Sequence, residues 1–162
     1  MNNQDEQTQR RNKMRKVILM AVFIMPVLGC VTGQAEESWT LTTIADARSG
    51  IAKGIDLGDL GDSPGDMFVF DQPLLNEARE VIGENSGFCV RTLPGKFNEC
   101  QWTLTMADGT ITVAGREADT GTSQIPIVGG SGAYLGATGV LATTPNGDRT
   151  FTQVLTMLKP KQ

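Results

Sequence analysis

From residue 38 onward the chain runs in short stretches of alternating apolar and polar positions, broken by Gly, Pro, Asn and Asp. Successive side chains of a strand point to opposite faces, so this period of two predicts half-buried strands. Eight such stretches occur: 38–46 (SWTLTTIAD), 67–71 (MFVFD), 86–93 (SGFCVRTL), 100–106 (CQWTLTM), 110–117 (TITVAGRE), 123–128 (SQIPIV), 137–144 (ATGVLATT) and 149–158 (RTFTQVLTML). Residues 54–66 (GIDLGDLGDSPGD) read as a Gly/Asp-rich loop. Residues 73–84 (PLLNEAREVIGE) have the length of a helix, but Pro73 and Gly83 bracket them, and a loop or single turn fits equally. The expectation is an all-β domain whose eight antiparallel strands close a barrel and so remove exposed edges.

Turn chemistry assigns the faces. A two-residue turn at Asp108-Gly109 pairs Met106 with Ile111, Leu104 with Val113, Trp102 with Gly115 and Cys100 with Glu117. These residues share one face, apolar enough to point inward, and their neighbours such as Thr103, Thr105 and Thr112 share the other. Setting Cys89 opposite Cys100 carries Arg91 to the inner face. A turn at Asn146-Gly147 sets Phe151, Gln153, Leu155 and Met157 with Val140 and Ala142. The expected interior is apolar, with Arg91, Glu117 and Gln153 as its polar members.

The first thirty residues read differently. Arg10, Arg11, Lys13, Arg15 and Lys16 precede an apolar run, 17–29 (VILMAVFIMPVLG), too short for a comfortable membrane span but long enough for a signal-peptide core. Val27-Leu-Gly-Cys30 resembles a bacterial lipobox, in which Leu is usual where Val27 stands. That resemblance implies cleavage before Cys30 and a lipid on its thiol, with a plain signal peptide or an N-terminal anchor helix as alternatives. Met14 would start a more conventional leader than Met1. The expected organisation is a leader over 1–29, a tether over 30–37 and a barrel over 38–162. The chain would sit in the cell envelope, lipid-anchored or secreted, or in the cytoplasm if the leader is not processed.

Composition narrows the function classes. The chain carries 14 Lys and Arg against 18 Asp and Glu; without residues 1–29, 9 and 16 remain, a net charge of −7. Such a surface does not suit nucleic acid, so none is expected as a partner, and a membrane is to be reached through the lipid. There is no histidine, which removes Ser-His-Asp and Cys-His catalysis and the commonest metal ligand. In an oxidising compartment Cys89 and Cys100, which flank the turn at 93–98 (LPGKFN), are expected to form a disulfide; two free buried thiols are the alternative.

Residues 125–139 (IPIVGGSGAYLGATG) hold a cluster of glycines behind a β-branched run. A dinucleotide site needs GxGxxG and a following helix. Neither is present, and no GxxxxGK[ST] occurs. The glycines read as turn and close-packing positions.

The same segment resembles the IVGG(T/S)G…ARG segment of plant dirigent proteins and allene oxide cyclases. Residues 65–75 (GDMFVFDQPLL), 81–90 (VIGENSGFCV) and 102–115 (WTLTMADGTITVAG) resemble further segments of these families in the same order, over roughly 64–143. The chain is thus similar to a bacterial member of this superfamily, whose relatives include small spirotetronate-forming cyclases. The resemblance implies an eight-stranded barrel of allene oxide cyclase and dirigent type with an apolar lumen. It implies no cofactor, a small apolar unsaturated substrate steered through cyclisation or isomerisation, and a homo-oligomer, dimer or trimer. Cys89 sits where the cyclases have a cavity cysteine, and Gln72 where they have a polar amide. Thr42 or Thr43 stands where they have a carboxylate, with Asp46 further on, and Ser123 and Gln124 stand where dirigent proteins have a pocket Arg and Asp.

No catalytic residue is assigned from the sequence. The expected lumen residues are Gln72, Arg91, Trp102, Glu117, Tyr134 and Gln153, each with a plainer reading. Arg91 and Glu117 form either a substrate-binding pair or a salt bridge at the barrel mouth. Trp102 is a substrate wall or core; Tyr134, with Trp39, lines an entrance or packs a turn. No metal site is expected: Asp56, Asp59, Asp62 and Asp66 lack EF-hand spacing and read as a solvated loop. The alternatives to a cyclase are a non-catalytic lipid-binding or small-molecule-binding lipoprotein and an envelope protein with a filled barrel. A lumen plugged by Phe88, Trp102, Phe151 and Met157 would mark the last.

Overall fold

A computed structural model describes residues 37–158. The expected leader, its Cys30 and the tether through residue 36 lie outside the described residues. Nine strands follow in chain order: β1 (Ser38–Asp46), β2 (Ile51–Ile55), β3 (Met67–Leu75), β4 (Val81–Leu93), β5 (Phe97–Met106), β6 (Gly109–Ala118), β7 (Ser123–Gly132), β8 (Gly139–Pro145) and β9 (Thr150–Leu158). Each of β3 to β8 pairs antiparallel with the next, β9 pairs with β1, and β1 pairs with β3 through Ile44↔Leu75 and Ala45↔Leu74. Eight strands therefore close the barrel.

The ninth, β2, was not expected. It lies on the same edge of β3 as β1, with Ile51↔Asp71 through Ile55↔Met67. In effect β1 and β2 are one strand broken at residues 47–50, where it leaves β9 and continues along β3. The segment 73–84 is not helical: β3 runs through Leu75, a turn holds Arg79 at φ 64°, and β4 starts at Val81. Cross-strand pairing outweighs the helical propensity of so short a segment.

The two turn-based registers fare differently. Around Asp108 the pairs are Met106↔Gly109, Leu104↔Ile111, Trp102↔Val113 and Cys100↔Gly115. This is a slip of two residues, which leaves every side chain on its expected face. After β8 the pair Pro145↔Phe151 encloses a longer loop than an Asn-Gly turn, and the shift is odd. Val140 and Ala142 therefore face outward, and Leu141 and Thr143 face inward. Inside the loop Asn146 N–H donates to Thr150 O, and Thr150 Oγ1 donates to Asp148 Oδ1.

The glycine cluster lies largely within β7, where Gly129 to Gly132 pair with Thr112 to Gly109 on β6. Gly132 sits at φ +60°, and a Cβ there would strike the Asp108 carbonyl. Gly130 and Gly139 are likewise close-packing positions, a Cβ there striking backbone carbonyls, whereas Gly129 and Gly136 have open space beside them.

Leu104, Ile111, Leu141, Leu155 and Met157 fill one half of the barrel. Trp39 and Tyr134 stack over that end, ring centroids 6.2 Å apart, and Tyr134 Oη donates to Asp108 Oδ2 at 3.1 Å. The other half, built from the starts of β3, β5 and β9 and the ends of β1, β4, β6 and β8, holds a cavity.

Candidate functional site

The cavity has a volume of about 260 Å³. Its apolar wall is made by Phe68 and Phe70 from β3, Phe151 from β9 and small residues Ala45, Ala47 and Ala52 along the β1–β2 break. Alternation on β3 that puts Leu74 in the core also turns Phe68, Phe70 and Gln72 inward. Phe70 meets Trp102 edge to face, centroids 6.4 Å apart. Gly87 is the β4 partner of Trp102; a Cβ there would collide with the Gln101 carbonyl and with Trp102 Cα and Cβ, so the glycine lets β4 and β5 approach closely at the Trp102 position.

The polar wall runs across β3, β4 and β5. Gln72 stands directly opposite Asn85, and Trp102 lies one pair further along β5 on the same face. All three are buried, with 6%, 2% and 3% of their surface exposed. Gln72 Oε1, Asn85 Oδ1 and Trp102 Nε1 have no hydrogen-bond partner. Across the cavity Thr43 Oγ1 donates to Gln153 Oε1 at 3.2 Å.

Toward the mouth, Cys89 and Cys100 form a disulfide between directly paired positions. Glu117 reaches over it: its Oε2 lies 3.4 Å from Cys100 Sγ and 3.9 Å from Cys89 Sγ. Bonded to each other, these sulfurs carry no hydrogen and give the carboxylate no donor. Burial, with the negative charge of Asp119 behind it, pushes the Glu117 pKa up to about 7. Glu117 is therefore poised to hold or release a proton near neutrality. Among the described residues, Cys89, Cys100 and Glu117 are the grouping of potential metal ligands, all within 4.8 Å. The disulfide removes both sulfurs from ligand chemistry, and one carboxyl is no metal site.

Of the expected lumen residues, Gln72, Trp102, Glu117 and Gln153 line this cavity. Arg91 does not, and it makes no pair with Glu117. It salt-bridges Asp62 and Asp119, each at 2.6 Å, and so ties the acidic loop to the barrel end. Within that loop Asp66 accepts the N–H groups of Leu57, Gly58 and Ser63, which hold its carboxyl below the usual range, and Asp56 accepts that of Gly61. Tyr134 belongs to the closed end. Phe88 and Met157 do not plug the cavity: Phe88 is 40% exposed, and Met157 lies in the filled half.

Of the three residues of the polar wall, Asn85 is the one the sequence reading missed. Its signal was parity with Cys89, four residues on, but treating 73–84 as helix or loop ended the strand at Ser86. Phe68 and Phe70, read only as strand residues, were missed as wall for want of β2 and the mouth beside it.

Residues 50–155 match the family described as allene oxide cyclase barrel-like domain. A search of curated proteins returns no match. Among solved structures the chain is similar to a pyocyanin demethylase, with 23% identity and a TM-score of 0.66 over 74% of this chain and 99% of that one. It is similar to a pterocarpan synthase dirigent protein, with 17% identity and a TM-score of 0.62 over 80% and 99% of the two chains. It is also similar to a Diels-Alderase from Streptomyces koyangensis, with 17% identity and a TM-score of 0.59 over 80% and 72%. At these identities the likeness is one of fold.

Proposed function

This chain belongs to the allene oxide cyclase barrel-like family, and on that premise we propose that it is a cofactor-independent cyclase or isomerase. It takes a small, largely apolar unsaturated substrate into the open half of its barrel and steers its cyclisation. The observation that carries this reading is the juxtaposition, in one cavity of about 260 Å³, of an aromatic wall with a half-buried carboxyl whose pKa is pushed up to about 7. Phe68, Phe70 and Phe151 confine a flexible chain in a compact conformer, which supplies much of the acceleration such reactions need. Glu117 donates a proton to an oxygen of the substrate, or takes one from it, away from bulk water. A Diels-Alderase and a dirigent protein among the structural neighbours support the class of reaction, not the substrate.

Cyclisation leaves the mass unchanged, so the test is chromatographic. Native mass spectrometry of protein purified from its own cells identifies any bound compound. Its open-chain isomer is then incubated with protein, and products of equal mass are separated. Faster conversion than in buffer, slowed about a hundredfold by Glu117→Gln with the ligand still bound, supports the reading. Equal rates with and without protein overturn it and leave a binding protein without turnover.

We further propose export, with cleavage before Cys30 and a lipid on its thiol. The Cys89–Cys100 disulfide supports an oxidising compartment. Intact mass of protein from host membranes tests this: a chain starting at a lipid-modified Cys30 supports it, and an unprocessed chain overturns it.

A further inference from the structure

Among the described residues, the buried side-chain nitrogen and oxygen atoms without a partner number three: Gln72 Oε1, Asn85 Oδ1 and Trp102 Nε1. All three residues line the same cavity. Nor are they scattered over its wall. Gln72 and Asn85 are a directly opposed pair on β3 and β4, and Trp102 follows on β5 one step nearer the mouth. Opposed residues of neighbouring strands are about 5 Å apart, and the next position on the same face is about 7 Å away. The three groups thus form one polar band, two acceptors and a donor, on the floor of the cavity, facing the aromatic wall of Phe68, Phe70 and Phe151. A fold rarely leaves a buried polar atom unmatched; three in one cavity wall call for a complement from outside the chain.

We infer that the substrate of this cavity carries a planar conjugated ring with an N–H or O–H donor beside a carbonyl acceptor on one edge, docked on Gln72, Asn85 and Trp102 while the flexible chain attached to it cyclises. This deepens the cyclase reading and rests on it: the substrate is apolar in its body and polar along one side. The donor satisfies the amide oxygens and the carbonyl accepts the indole N–H. An edge bearing both groups also complements a side-chain amide turned about its last bond, because the amide carries both as well. The remaining faces of such a ring lie against Phe68, Phe70 and Phe151, which offer no hydrogen bonds.

Three bicyclic probes of nearly equal size separate shape from polarity. Carbostyril carries a lactam N–H beside its carbonyl. Coumarin replaces that N–H with oxygen, and naphthalene has neither group. Ligand-observed NMR titration of the full chain gives the three affinities, and the same titration is run on Asn85→Leu and Trp102→Phe. The expected result is that carbostyril binds about tenfold or more tightly than coumarin, and coumarin more tightly than naphthalene. Asn85→Leu is expected to erase the advantage of carbostyril over coumarin, and Trp102→Phe that of coumarin over naphthalene. Equal affinities for all three in the unaltered chain overturn this inference but leave the cavity as a binding site. Failure of all three to bind overturns the cavity reading itself, and this inference with it.

Discussion

Gln72 on β3 stands directly opposite Asn85 on β4, and the amide oxygen of each is buried without a donor. Two polar residues so placed are a poor way to stabilise a barrel and a good way to hold a ligand.

The folded protein should accordingly gain stability when the Asn85 half of that pair is made apolar. Leu has the same side-chain branching and heavy-atom count as Asn, its bulkier methyl groups can project into the cavity that Asn85 lines, and Asn85→Leu replaces an unmatched acceptor by a side chain that prefers burial. The expected gain is about 1 kcal/mol or somewhat more, read from urea unfolding without ligand. A loss of that size would mean that Asn85 has a structural partner.

Glu117 should make stability fall as the solution turns alkaline. Its pKa is about 7 in the fold against 4.5 as the ordinary value, so the folded protein holds the proton more tightly than the unfolded chain. The contribution is complete below about pH 4.5, shrinks as pH rises and is lost above about pH 7, by about 3 kcal/mol at most. Unfolding curves of the native chain and Glu117→Gln across this range check it, since the variant removes this slope.

The register of β8 can be tested by adjacent substitutions. Leu141 is 0% exposed and Val140 40%. Leu141→Ala should cost about 2–5 kcal/mol, whereas Val140→Thr should change stability by less than about 1 kcal/mol. Similar costs at both sites would contradict the inward face assigned here.

Arg91→Ala should loosen the acidic loop rather than empty the cavity. Asp62 and Asp119 lose their cation, while the backbone bonds from Gly65 N to Arg91 O and from Arg91 N to Asp66 O remain. Faster hydrogen exchange at Gly95, whose amide is held by Asp62, with probe binding unchanged, is the expected outcome.

How much of this was legible in advance depended on the range of the interaction. Alternation in 38–46, 100–106 and 110–117 determined strands, because the two faces of a strand are written in consecutive residues. The disulfide was readable because Cys89 and Cys100 flank one hairpin. The inward faces of β5 and β6 survived a register error because the slip was even. Closure between β1 and β3, the break that creates β2, and the odd shift that turns Leu141 inward in place of Val140 depended on pairings between distant segments and on loop geometry. Arg91 shows the same limit: parity aimed it inward, but partners from the loop before β3 and the turn after β6 drew it to the barrel end. Gln72 was visible as a candidate and Asn85 was not, and what makes them a site is that β3 and β4 lie side by side. The sequence determined which residues alternate; only the closed sheet decided which of them face one another, because a side chain's neighbours across a barrel are set by register and not by its own strand.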